Sequence, residues 1–356
     1  MLCLVACARG TSSDNAAATG GEAPVARVDL TGAGATFPYP LYSRWFNEYA
    51  ARTNVRINYQ SIGSGAGIRR LLDGAVDFGA TDIPMTDGEL AQAGSPILHI
   101  PTTVGAVALT YNLPTLKRPL LLASDVIVDI FLGRIRRWNA ARIAALNPGV
   151  ELPARDILVV HRADESGTSY ILSDYLSAVS AAWAGGPGRG KDVRWPIGIG
   201  GRGNEGVAGQ VKQTIGSIGY LEVVYARQNH LPAAHLRNRA GYFISPMAFE
   251  IASAAASAID AAGPRAPDLR LSLVNAPGAH AYPIASFTWM LIAPQRVDVT
   301  KAHALAEFLR WALTDGGEVA STLGYVALPS GTASRALKLI DNVADSGATA
   351  SVARPR

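Results

Sequence analysis

The chain has 356 residues, 49% of them apolar and 17% charged, which is enough for about two hydrophobic cores and too apolar for disorder over most of its length. Its 32 basic and 28 acidic groups leave a formal charge of only +4, and Lys and Arg are not clustered as a nucleic-acid binder requires. Both cysteines, Cys3 and Cys7, lie at the N-terminus, and the six histidines (99, 161, 230, 235, 280 and 303) include no i, i+4 pair. The body of the chain therefore offers no disulfide, no thiolate site and no readable zinc site, and no metal or cofactor is implied.

Leu4 to Cys7 (LVAC) resembles a bacterial lipobox, with Cys7 as the lipidation candidate. Residues 1–25 are read as this start followed by a flexible tether rich in Ser, Gly and Ala. From Val28 onward strand-like and helix-like segments alternate, the mark of an α/β architecture. A short strand, Val28 to Leu30, leads into a Gly-rich loop ending at Thr36. The stretch from Pro38 to Arg52 places Leu41, Tyr42, Trp45, Phe46 and Tyr49 on one helical face. Val55 to Gln60 alternates as a strand, and a loop from Ser61 to Gly67 opens a helix carrying Ile68, Leu71 and Leu72. Asp77 to Thr81 is a strand that stops at Asp82. Ile100 to Asn112 is a longer apolar strand. Ser124–Leu132 and Ala140–Leu146 read as helices, and the basic cluster from Arg134 to Arg137 as a solvated helix end. Ile157 to Val160 is a buried strand, and Asp164 to Thr168 opens a helix with Ile171, Leu172, Tyr175 and Leu176 inward. Ser217–Val223 reads as a strand, 247–262 as an Ala-rich helix, Tyr282–Ala293 as a second long strand and Lys301–Thr314 as a helix. Beyond about Ile340 a small, polar tail is expected to fray. No run of about 18 apolar residues follows the N-terminus.

The two long strands, near 100–112 and 282–293, bracket a middle block, as two crossovers between domains would. The division expected is 26–105 with 283–345 as domain I, 106–282 as domain II, and 346–356 as the tail.

Three loops share one design: Thr36-Phe37, Ser64, and Ser166-Gly167-Thr168 each put a hydroxyl or backbone amides at a helix N-terminus. Such termini favour anions, because four amide donors lack partners and the helix dipole is positive there; Ser and Thr are also ordinary N-caps. Arg162, two residues before Asp164, offers a bidentate fork to an oxyanion with Asp164 as its support, or else makes an ordinary local ion pair. Asp82 is the unusual feature. If Asp82 joins the site, its carboxylate discriminates in favour of a ligand that carries a proton to donate, and against sulfate; otherwise a strand-end Asp is an ordinary cap or turn residue.

The segments LTGAGATFP (30–38), IGSGAG (62–67), DFGATD (77–82) and RADESGTS (162–169) resemble those of the periplasmic phosphate-binding proteins of bacterial ABC importers. WPIGIGGRGN (195–204), SIGYLE (217–222) and LGRIRRW (132–138) extend the resemblance, which covers about 28 to 330 in one order. It implies a two-domain periplasmic-binding-protein fold (type II), closing over one dehydrated phosphate. It also implies a ligand set at Thr36, Phe37, Ser64, Asp82, Arg162, Ser166, Gly167 and Thr168, with Asp164 supporting Arg162. By the same resemblance the protein is a monomeric, non-enzymatic receptor outside the cytoplasmic membrane, delivering inorganic phosphate to permease subunits. Glu165 departs from the glycine the family often has there, and residues 230–275 match little.

Two other readings remain open on the residues. GIGGRG (198–203) fits G-x-G-x-x-G with Glu222 following, as in a dinucleotide-binding oxidoreductase, although Pro196 falls in the lead-in strand, Val193 to Ile197. A secreted phosphatase needs a base beside a nucleophile; His161 adjoins the anion loop but alternates to the opposite face from Arg162. GGPGRGKD (185–192) nearly fits a P-loop, yet lacks the metal-binding hydroxyl and reads as a loop.

Overall fold

The computed structural model describes residues 27–263 and 269–352. Cys7 and the tether lie outside the described residues. In chain order the first half runs β1 (Val28–Gly34), α1 (Tyr39–Arg52), β2 (Val55–Ser61), α2 (Ser64–Leu72), β3 (Phe78–Thr81), α3 (Asp87–Ala93) and β4 (Leu98–Tyr111). The middle runs β5 (Leu121–Leu122), α4 (Ser124–Phe131), α5 (Ala141–Leu146), β6 (Leu158–Arg162), α6 (Gly167–Val179), α7 (Ala181–Ala184), β7 (Ile199–Gly201) and α8 (Gly203–Gln213). It continues through β8 (Ser217–Glu222), α9 (Val223–Gln228), β9 (His235–Arg237), β10 (Phe243–Ile244) and α10 (Ala248–Ala262). The chain then returns as β11 (Ala285–Ile292), α11 (Val299–Leu313), α12 (Gly316–Leu323) and α13 (Ser330–Val352).

Eight strands form one sheet in the order β2-β1-β3-β11-β4-β8-β6-β7, and β10-β9-β5 form a small second sheet. The parallel sets β2-β1-β3 and β8-β6-β7 are joined through the antiparallel pair β11-β4. The 14-residue strand β4 changes partner along its length: Leu98 to Ala106 pair with β11, and Val107 to Tyr111 pair with β8. One extended apolar strand thus belongs to both halves of the sheet.

Local sequence explains the elements that frame the site. In α1 the buried residues Leu41, Tyr42, Trp45, Phe46 and Tyr49 fall at helical spacing, and Trp45 is anchored further by its indole N–H donating to Gly316 O at 2.8 Å. The N-terminus of α2 lies against β1 so closely that a Cβ on Gly67 would sit 2.4 Å from Gly34 Cα. Gly34 itself has φ 146° and faces Ala80 O, a conformation and approach that only glycine meets without strain.

Four expectations need correction. β1 does not end at Leu30 but continues to Gly34, because ladders to β2 and β3 hold a glycine-rich segment that propensity alone would leave as loop. Val193 to Ile197, expected as the lead-in strand of the glycine motif, is not a strand; β7 lies inside the motif. The Arg134–Arg137 cluster lies just beyond the end of α4 rather than within it; Arg134, Arg136 and Arg137 are exposed, as a solvated cluster should be, while Ile135 is buried. The tail is not frayed from Ile340: α13 runs to Val352, and Ala336, Ile340 and Val343 are buried at helical spacing. No described helix is long and apolar enough to cross a membrane.

Candidate functional site

The residues singled out as an anion site converge where the two parallel strand sets meet. Thr36 and Phe37 follow β1, Ser64 opens α2, and Asp82 follows β3. From the other side come Arg162 at the end of β6 and Ser166 to Thr168 at the start of α6. Thr36, Phe37, Ser64, Asp82, Arg162, Ser166 and Thr168 are all at most 4% exposed, so their polar groups must be satisfied within the protein or by a ligand. The two sides touch at Gly167, where a Cβ would lie 2.4 Å from Asp82 Oδ2 and 2.5 Å from Ser64 Oγ.

Arg162 is held as a fork. Its Nε donates to Asp164 Oδ1 at 2.8 Å and its Nη2 to Asp164 Oδ2, while Nη1 donates to Thr168 Oγ1 at 3.1 Å. Burial pushes the Asp164 carboxyl up, but the Arg162 guanidinium and the Gly203 amide more than offset it, holding this carboxyl below its ordinary range. Asp82 is placed differently. Thr288 Oγ1 donates to its Oδ1 at 2.7 Å and Ser64 Oγ to its Oδ2 at 3.2 Å. Burial pushes this carboxyl up to about 7, against the pull of the two hydroxyls and of the Arg162 charge. An aspartate so placed changes protonation near neutral pH and can read whether a ligand oxygen carries a proton.

Ser166 Oγ accepts from Ser169 N at 3.1 Å, so it caps α6 and fixes the helix N-terminus at the site. The sequence reading did not single out Asn204. Its N–H and side-chain amide both donate to Thr36 Oγ1, at 3.3 and 2.7 Å, and its Nδ2 also reaches Thr168 Oγ1 at 3.3 Å. Asn204 lies in the first turn of α8, so a further helix N-terminus joins the cluster. The signal was present in the glycine motif, whose last glycine precedes it. Thr288 was missed too, since nothing near it in sequence marks a partner for Asp82. Two tyrosines tie down the first loop: Tyr225 Oη donates to Thr36 O at 2.6 Å and Tyr325 Oη to Phe37 O at 2.7 Å.

Glu222, at the end of β8, is fully buried beside Phe37 and Gly105. Its Oε2 accepts from Val224 N at 2.7 Å, whereas Oε1 has no hydrogen-bond partner. Burial pushes this carboxyl up to about 8, despite the Val224 amide and the nearby Arg227. Fully buried, it is not open to a bound dinucleotide as that reading required. His161 stacks on Trp195, ring centroids 5.6 Å apart, and its Nδ1 lies 3.0 Å from Arg162 O. Lys191 of the P-loop-like segment is ion-paired to Glu89 at 2.6 Å. Among the described residues no His, Cys, Asp and Glu cluster could hold a metal.

A cavity of about 190 Å³ opens beside Asp82, lined by Tyr170, Asp174, Arg189, Ser286 and Trp289 among others. A larger hollow of about 930 Å³, between Leu90–His99 and Arg335–Leu339, contains none of the converging residues. Volume alone does not mark the site; the buried polar convergence does.

Residues 11–316 match the family described as the PBP superfamily domain. The phosphate-binding protein PstS of Xylella fastidiosa is 42% identical over 322 residues, covering 90% of this chain and 87% of that protein. The PstS of Pasteurella multocida is 42% identical, covering 84% and 86%. A crystal structure of a phosphate-binding protein from Stenotrophomonas maltophilia superposes with a TM-score of 0.66 at 18% identity, covering 87% of this chain and 93% of that one; at that identity it speaks for the two-domain fold. The chain belongs to the PBP superfamily and, within it, to the family of PstS phosphate-binding proteins.

Proposed function

We propose that the protein is a receptor outside the cytoplasmic membrane that binds inorganic phosphate and delivers it to the permease subunits of an ABC importer. The observation that carries this reading is the convergence of an Arg fork, helix N-termini and one buried, proton-sensitive carboxyl at a single point. A tetrahedral anion bearing one or two protons matches that set: Arg162, Ser64, Thr36, Ser166, Thr168 and the amides at Phe37 and Gly167 donate, while Asp82 accepts from a P–O–H group. Fully ionised sulfate would set two acceptors face to face at Asp82. The relatives carry the name phosphate-binding protein, and His161, the base that adjoins the anion loop in sequence, stacks on Trp195.

In this proposal residues 26–105 and 283–345 form domain I and 106–282 form domain II, with β4 and β11 as the hinge. Phosphate favours the closed arrangement because only there do both sets of donors reach it. The protein acts as a monomer, held to the membrane through Cys7. Isothermal titration of the purified protein, stripped of bound anion, tests the reading. One-to-one binding of phosphate with no response to sulfate is expected. Absence of phosphate binding, or thermal stabilisation by NAD instead, would overturn it.

A further inference from the structure

Beside the anion site, four side chains of alternating charge bridge the two sides, and none of them belongs to the proposed ligand set. Arg69 on α2 and Glu89 on α3 stand on the side built around β1–β3; Glu165, between β6 and α6, and Lys191, in the 185–192 loop, stand opposite. Arg69 Nη1 donates to Glu165 Oε1. Lys191 Nζ donates to Glu89 Oε1 at 2.6 Å and lies 3.5 Å from Glu165 Oε2. We propose that Glu165 is the centre of an ionic clasp that forms only when the cleft closes, stabilising the closed form without touching the ligand. This rests on the reading of the protein as a phosphate receptor whose cleft closes.

The clasp is built on fixed parts. Gly65 N donates to Glu165 O at 3.1 Å, so the main chain bridges at the same point. A Cβ on Gly65 would lie 2.1 Å from Glu165 Oε2 and 2.5 Å from its Cβ; the bare glycine is what admits the glutamate. Ser166 N donates to Lys191 O at 2.9 Å, which makes the Lys191 loop travel with Glu165. On the other side Glu89 is locked by a capping box with Thr86, accepting from Thr86 N at 2.8 Å.

Two of the three links, Arg69–Glu165 and Lys191–Glu89, join residues on opposite sides of the cleft, so opening separates both at once. Side-chain exposure ranges from 17% at Glu89 to 55% at Arg69, so each link is weak alone and screened by salt. Acting on one motion, they shift the open–closed balance together. Apparent affinity then changes with the closed fraction, while the choice between anions, set by other residues, does not.

The test uses the full chain carrying Cys3→Ser and Cys7→Ser, with spin labels on cysteines placed at the exposed positions Asn47 and Gln213. Glu165→Gln should speed phosphate dissociation roughly 3- to 10-fold and lengthen the label distance in the anion-free protein. The phosphate-to-sulfate preference should stay unchanged, and the difference from the parent should vanish near 1 M salt. Arg69→Gln should act in the same direction, and the double variant should add little to Glu165→Gln. Unchanged dissociation and distances in Glu165→Gln would overturn the clasp, as would an effect that survives 1 M salt. Loss of phosphate binding in the parent itself would overturn the receptor reading instead, and label distances at low and high salt would still judge the clasp.

Discussion

Two aspartates, Asp82 buried and Asp164 partly buried, stand on opposite sides of the candidate site, and they end in opposite states. Asp164, on the β6 side, grips a guanidinium and is held ionised. Asp82, on the β3 side, has hydroxyls as its direct partners and is pushed up to about 7. Burial raises both; the nearest neighbour decides the outcome. In the proposed binding site the β6 side would therefore supply the fixed positive charge for an anion, and the β3 side the carboxyl that could respond to a proton on that anion.

The most damaging way to break this contrast is to empty the fork. Arg162→Ala leaves the partly buried Asp164 without its cation, and phosphate affinity measured by titration should fall by more than about 2 kcal/mol, above ~30-fold. A near-parental affinity would remove Arg162 from the ligand set.

The raised carboxyls make a pH prediction next in size. Asp82 and Glu222 keep protons in the folded protein that the unfolded chain releases from about pH 4 upward. The folded state binds more protons in that window, so anion-free stability should decline as pH rises from about 4.5 to about 8 and then level off. Glu222→Gln should flatten its share of that decline, on the order of 2 kcal/mol, in denaturant titrations at pH 5 and 8. Equal slopes in parent and variant would mean that Glu222 does not hold its proton.

Asp82→Asn sharpens the contrast from the other side. An amide can donate where the carboxylate only accepts, so the preference for phosphate over sulfate should shrink by about 1.4 kcal/mol, or tenfold. Unchanged selectivity in competition titrations would count against proton reading by Asp82. The smallest effect is expected from Asn204→Ala, about 1 kcal/mol of stability in thermal melts, since it removes the bonds to Thr36 and Thr168 and the acceptor for Glu222 N. No loss there would mean that Asn204 does not tie the two sides together.

Much of the candidate site was legible in the sequence because its parts are local. A hydroxyl before a helix, an Arg two residues from an Asp and an Asp at a strand end each declare themselves within a few residues. What was hidden depends on distant pairing. Asn204 meets Thr36 across 168 positions and Thr288 meets Asp82 across 206, so no local pattern marks either. The same holds for the fold. The length and apolarity of β4 announced a crossover, but the extension of β1 through its glycines is dictated by neighbouring strands. Likewise α13 looks too small and polar to persist, until its packing against α11 is known.

The threading of β4 and β11 also sets an order of assembly during synthesis. Strands β4, β8, β6 and β7 are all available once residue 222 has been made, and that part of the sheet can pair then. The set β2-β1-β3 emerges earlier, but it joins β4 only through β11, which ends at Ile292. The region that leaves the ribosome first is thus the last to be completed, and its unpaired β3 edge is exposed while some 200 further residues are added, over about 10–40 s at ordinary elongation rates. A chaperone or translocation partner that shields an extended edge would find its target there rather than in the middle of the chain.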